Sequence, residues 1–227
     1  MIISVHQPQY LAWIGYFHKI LKSDAFVFLD DVQYKEREYQ NRNRIKTKDG
    51  SQWLTVPVLK SGQRFIKINE AAIDNGQKWQ KRHWKAICSN YSQAPYFKQY
   101  SGFFEDLYSR QWDKLVDLNI HMIKGINGIL GIQKDISLSS QLGVQSAKTQ
   151  RIIDICRALQ ADTYLSGQGG KDYLKEELIA SAGLKLIYQD FRHPEYVQCY
   201  DGFLPYMSMI DMLFNCGKDA LSILERG

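Results

Sequence analysis

Two stretches, one near each end of the chain, read as strand, helix, strand, and that order constrains the fold more than any other feature. In the first, Ile2 to Val5 form a short apolar run closed off by Pro8, residues Ile14 to Leu21 carry apolar side chains at helical spacing, and Ala25-Phe26-Val27-Phe28-Leu29 reads as a strand. A unit this short joins its strands in parallel through a right-handed crossover. In the second, Thr163-Tyr164-Leu165 enters the turn Ser166-Gly167-Gln168-Gly169-Gly170, a helix runs on to about Ala182, and Leu184 to Tyr188 form a further strand. The expected fold is therefore α/β: a mostly parallel, Rossmann-like sheet with flanking helices.

Between these units the chain changes character. Residues 30–50 are polar and charged, centred on Asn41-Arg42-Asn43-Arg44, and predict a long loop or irregular hairpin before the strand-like Trp53 to Val58. A loop this long in a compact domain is usually functional. Helical patterns at about 77–93, 95–109 and 112–130 make a mostly helical middle section, and a strand near Ile136 to Leu138 and a helix over Ala147 to Leu159 restore the alternation. Residues His193 to Tyr206 are irregular and aromatic, and a helix from Ser208 to Cys216 stops at Gly217. No repeat or low-complexity linker divides the 227 residues, which read as one domain.

Charge narrows the choice of partners. The formal net charge of +5 favours anionic ligands, yet 24 acidic residues interleave with 29 basic ones and no arginine-rich tail appears, which predicts a local phosphate preference and argues against a nucleic-acid surface. Cys88, Cys156, Cys199 and Cys216 are far apart and form no metal-binding spacing, so no metal site is expected from them. The apolar opening ends at His6-Gln7, too soon for a signal peptide or membrane span, and a cytoplasmic protein is the expectation.

The candidate catalytic residues are His6, Asp30 and Asp31. His6 ends the first strand, where α/β folds place ligands, and an imidazole there can act as acid or base; helix capping is the plain alternative. Asp30 and Asp31 end the second strand, where a carboxylate can hold Mg²⁺ or an amine, or simply begin a solvated turn. Gln7, Tyr10, Tyr16 and Gln33 crowd the same turns as candidate substrate contacts. Arg42 and Arg44, with Asn41 and Asn43, suit a diphosphate, since arginine grips phosphate through two hydrogen bonds. Ser166, Gly167, Gly169 and Gly170 resemble a phosphate loop without meeting its pattern: Leu165 stands where the first glycine belongs, and Asp172 follows Lys171. His193 and Tyr196 could close over a sugar or amine, and Asp211, three residues after Ser208, suits a capping box.

The motifs His6-Gln7-Pro8-Gln9-Tyr10-Leu11, Gly15-Tyr16-Phe17, Leu29-Asp30-Asp31-Val32-Gln33-Tyr34, Asn41-Arg42-Asn43, Trp53 to Val58 and Tyr164-Leu165-Ser166-Gly167 occur together and in order. Together they resemble the WbqC-like family of bacterial proteins over essentially the whole chain. Ala12 stands where that family is expected to have proline. The resemblance implies association with O-antigen or other surface-polysaccharide biosynthesis and leaves the reaction poorly defined. The opening strand, histidine turn and helix also resemble the start of nucleotidyl-transfer folds that activate a carboxylate with ATP, such as pantothenate synthetases. Those carry His-x-Gly-His, and here only His6 and the distant His18 are present.

These readings converge on an enzyme that transfers an acyl or aminoacyl group to an amino sugar carried on a nucleotide, with ATP and Mg²⁺ as candidate cofactors. The alternative is a non-catalytic component that binds nucleotide sugar or glycan. On either reading the stretches near residues 6, 42 and 168 are expected to line one anion-receiving hollow.

Overall fold

The computed structural model describes residues 1–59 and 65–227. Five strands form one parallel sheet: β1 (Ile2–His6), β2 (Ala25–Phe28), β5 (Asp135–Leu138), β6 (Thr163–Ser166) and β7 (Lys185–Tyr188), in the order β5-β2-β1-β6-β7. Strand β2 is apolar on both faces, as a sheet covered by helices on both sides favours. Phe26 and Phe28 of β2 enter one core; Ala25 and Val27, on the opposite face, enter the other with Ile3 and Val5 of β1.

The first core is the larger. It holds α1 (Ile14–Leu21), the middle helices α2 (Trp79–Tyr91), α3 (Phe97–Ser109) and α4 (Leu115–Leu130), and the C-terminal α7 (Met209–Cys216) and α8 (Ala220–Glu225). The second core is closed by α5 (Lys148–Ala158) and α6 (Glu176–Ser181). Helix α4 stops at Gly131, whose φ of 73° a glycine adopts without strain. Helix α7 starts at Ser208, whose side chain accepts from the Ile210 amide. The α/β sheet and the mostly helical middle section are as the sequence predicts. Helix α8, which the sequence reading did not separate, packs against α1.

Three local expectations change. Of the loop and the hairpin expected over residues 30–50, the hairpin forms, β3 (Arg42–Thr47) pairing antiparallel with β4 (Gly50–Thr55), but it takes in Trp53 and the strand-like stretch stops at Thr55. The glycine turn does not feed one continuous helix; a short 3₁₀ turn over Gln168–Asp172 comes first and α6 begins only at Glu176, consistent with the poor helix propensity of consecutive glycines. Asp211 does not close a capping box. Its carboxylate is buried and accepts from the Tyr91 hydroxyl at 2.9 Å, the Tyr196 hydroxyl at 2.8 Å and the Gln198 amide at 2.7 Å, so it anchors the aromatic C-terminal loop.

Strand order positions the site. From β1 the chain progresses outward through β2 to β5, then returns to the other side of β1 for β6 and β7. The progression reverses between β1 and β6, and a crevice opens at the C-terminal ends of strands at such a reversal. His6 ends β1 and Ser166 ends β6.

Candidate functional site

Two adjoining hollows lie at that reversal. One, of about 460 Å³, is lined by His6, Gln7, Lys148, Arg151, Tyr164 and Tyr173 among others. The other, of about 360 Å³, is lined by Trp13, Tyr16, Gln189, Phe191, His193 and Tyr206 among others. His6, Lys19, Gly167 and Gly169 line both, so they form the shared wall. Among the described residues no carboxylate lines either hollow. The first therefore presents the cations Lys148 and Arg151, the latter paired with Asp31 behind the lining, and the second offers aromatic edges.

His6 is held by its neighbours. Its Nδ1 lies 3.1 Å from the Gln7 carbonyl, which can only accept, so Nδ1 carries the proton and Nε2 keeps a lone pair. The Tyr16 ring meets the imidazole edge-on at 4.8 Å. Burial, and then the nearby Lys19, push the His6 pKa down to about 3, so the ring is uncharged at neutral pH. Lys19 sits on α1, a helix buried almost all round, and is itself 3% exposed. Its Nζ donates to the Val5 carbonyl at 3.2 Å, and burial pushes its pKa down to about 7. Leaving water is costly for an ammonium group, and shedding the proton relieves that cost.

Gly167 and Gly169 differ from Gly170. A Cβ at either of the first two would meet nothing within 4 Å, so their bare backbone is open toward the hollows. At Gly170 a Cβ would lie 2.0 Å from Ser166 Oγ, which makes that glycine a packing requirement. Ser166 is buried and donates to the Gly167 carbonyl at 3.0 Å, away from the lining.

The two aspartates are taken up by the protein. Asp30, 2% exposed, accepts from Ser139 Oγ at 3.0 Å, the Ser140 amide at 3.0 Å, Ser140 Oγ at 2.6 Å and Asn69 Nδ2 at 3.4 Å. Asp31 accepts from Ser139 Oγ and pairs with Arg151. Neither lines the two hollows, and no group of three or more His, Cys, Asp or Glu residues that could hold a metal occurs among the described residues. The aspartates as arranged do not fit Mg²⁺, and no step is assigned to it.

Other sequence candidates are placed elsewhere. Arg42 and Arg44 lie with their guanidinium carbons 4.4 and 5.4 Å from the Trp53 ring centre and line neither hollow. Asn43 donates to the Leu11 carbonyl at 2.7 Å and Asn41 to the Val56 carbonyl at 2.9 Å, bonds that fasten the hairpin. Tyr10 is fully buried, its hydroxyl 2.8 Å from His83 Nδ1 and 2.6 Å from the Tyr108 hydroxyl. Gln33 makes a backbone bridge to Lys67, and Tyr196 serves Asp211. His6, Gln7, Tyr16, Gly167, Gly169, Gly170 and His193 are thus brought together, whereas residues 41–44 line neither hollow, although neighbouring Gln40 donates to the Gln7 side chain at 2.8 Å.

Sequence reasoning missed Lys19, Lys148 and Arg151. Lys19 had a signal: it is a lysine inside a short helix whose other positions are nearly all apolar or small. Arg151 had none, because only the crossover from β5 to β6 brings α5 against the end of β1.

Residues 7–223 match the WbqC-like protein family. The chain is 36% identical over 225 residues to a Mycobacterium tuberculosis (strain ATCC 25618 / H37Rv) protein named "Uncharacterized protein Rv1507c", covering 98% of this chain and 97% of that one. No solved structure matches. The matched span covers nearly the whole chain, beginning one residue after His6, and the chain belongs to the WbqC-like protein family.

Proposed function

We propose that the protein is a cytoplasmic enzyme of bacterial surface-polysaccharide biosynthesis that transfers an acyl or aminoacyl group to an amino sugar carried on a nucleotide. The observation that supports this reading is the charge of the crevice: Lys148 and Arg151 line it and no carboxylate does. A wall carrying Lys148 and Arg151 at a strand-order reversal suits a phosphate or diphosphate. Phosphates rest against Lys148, Arg151 and the bare backbone of Gly167 and Gly169. The sugar lies in the aromatic hollow beside Trp13, Tyr16 and Tyr206, where amphipathic rings suit its apolar faces and hydroxyls. His6 stands between them with its Nε2 lone pair free to take the proton an attacking amine must lose. Asp31 acts through Arg151 by fixing it on the wall.

A second reading, a non-catalytic nucleotide-sugar-binding component, is favoured by one observation. With no carboxylate in the lining and His6 uncharged, neither of these usual acids is there to donate a proton. Calorimetry with UDP-linked amino sugars and with ATP tests both readings: binding is expected, and none at millimolar ligand ends them together. Substituting His6→Ala then separates them, since an enzyme loses turnover with its fold intact and a binder shows only a change in affinity.

A further inference from the structure

A lysine buried in an apolar helix, reaching the wall shared by two hollows, is more than a phosphate contact requires. Lys19 hydrogen-bonds the Val5 carbonyl and, among the described residues, has no carboxylate partner. Lys148 and Arg151 line the same hollow, and burial holds the Lys19 pKa at about 7, so a large share of it is free amine at neutral pH. A free amine facing a cavity is a nucleophile.

We propose that Lys19 is a covalent nucleophile that condenses with the carbonyl group of an anionic aldehyde or keto compound, the anion held by Lys148 and Arg151. The Nζ lone pair forms a bond to the carbonyl carbon, and the carbonyl π electrons move to its oxygen. The nitrogen then passes a proton to that oxygen to give a carbinolamine. Loss of the hydroxyl as water, with the remaining N–H proton, leaves the imine; no oxidant or reductant is consumed. His6, on the same wall with Nε2 unprotonated, can relay the proton from nitrogen to oxygen. This activity goes beyond the acyl-transfer reading, because it needs a carbonyl substrate and no acyl donor.

The intact protein is incubated at pH 7 with pyridoxal 5′-phosphate and sodium cyanoborohydride, which reduces an imine to a stable amine, and each lysine's modification is read by peptide mass spectrometry. Lys19 is expected to be modified at least ten-fold more than exposed lysines such as Lys81, excess inorganic phosphate to suppress that preference, and Lys19→Arg to abolish it. Exposed lysines labelled while Lys19 stays unmodified, both with this probe and with the smaller glyoxylate, would overturn the proposal. The wild-type map decides even if the variant misfolds. An unlabelled Lys19 in a protein that binds UDP-linked amino sugar removes this inference and leaves the proposed function standing; a labelled Lys19 without such binding does the reverse.

Discussion

Asp31, just past the end of β2, is ion-paired with Arg151 of α5 across 120 positions of sequence, and their side chains are only 14% and 12% exposed. The pair ties the second strand to the helix that packs on the far side of β1, and it holds Arg151 where its remaining surface meets the hollow. Exposed ion pairs contribute roughly 0–1 kcal/mol, and breaking a buried one costs roughly 3–5 kcal/mol. For this mostly sheltered pair Asp31→Asn should cost about 2 kcal/mol in urea unfolding at pH 7. Affinity for phosphate should fall along with stability, because Arg151 loses the partner that fixes it on the wall. Weaker phosphate binding with unchanged stability would assign Asp31 to the ligand, as the sequence reading had it.

The contrast between Gly169 and Gly170 gives a second test. A Cβ at Gly169 meets no protein atom within 4 Å, so Gly169→Leu should keep the unfolding midpoint and, by crowding the wall, lower affinity for a phosphate ligand at least ten-fold. Gly170→Ala places its Cβ against Ser166 and Leu174 and should destabilise by roughly 1–3 kcal/mol. Equal loss of stability in both variants would mean that the turn is only a packing device.

Much of this site was legible because strand ends are legible. The run Ile2 to Val5 stopped by Pro8, and Thr163 to Leu165 stopped by Gly167, fix where two parallel strands finish, and parallel strands bring such ends to one edge of the sheet. The arginines of residues 42–44 misled for a physical reason. Arg42 and Arg44 are two apart on β3 and therefore share a face, and Trp53 is the cross-strand partner of Arg44, so the guanidinium planes lie over an indole. Composition shows the charge but not that pairing. Tyr10 misled likewise: it adjoins His6 in sequence, yet the chain turns at Leu11, with φ of 45°, and sends Tyr10 among Trp79, His83 and Tyr108 of the helical layer.

Three histidines should make the fold acid-sensitive. Burial pushes His6 down to about 3 and His18 and His83 to about 4, each with a nearby cation adding to the effect. The unfolded chain protonates them near pH 6.5 and the folded chain resists, so the unfolded state binds more protons between about 6.5 and 4 and stability falls as pH drops through that window. The slope is up to about 1.4 kcal/mol per pH unit for each histidine. Urea midpoints measured from pH 7.5 to 4.5 should fall steadily, and His83→Gln should flatten the slope. A midpoint insensitive to pH over this range would mean that these rings reach solvent.

Lys19 reverses the usual link between a charged residue and stability. Its folded pKa of about 7 lies below the ordinary lysine value, so from pH 7 to about 10.5 the unfolded chain binds the extra proton and stability rises with pH across that window. At neutral pH the buried amine therefore costs the fold a few kcal/mol, at about 1.4 kcal/mol for each unit of depression. Lys19→Met keeps the length and apolar stem, gives up the bond to the Val5 carbonyl, and should raise the urea midpoint at pH 7. Its advantage over wild type should shrink as pH rises toward 9.5, where the wild-type unfolded chain gains less from protonation. A residue retained at such a cost is one kept for its chemistry. A Lys19→Met protein less stable than wild type at pH 7, with no pH-dependent gap, would instead make Lys19 an ordinary brace between α1 and β1.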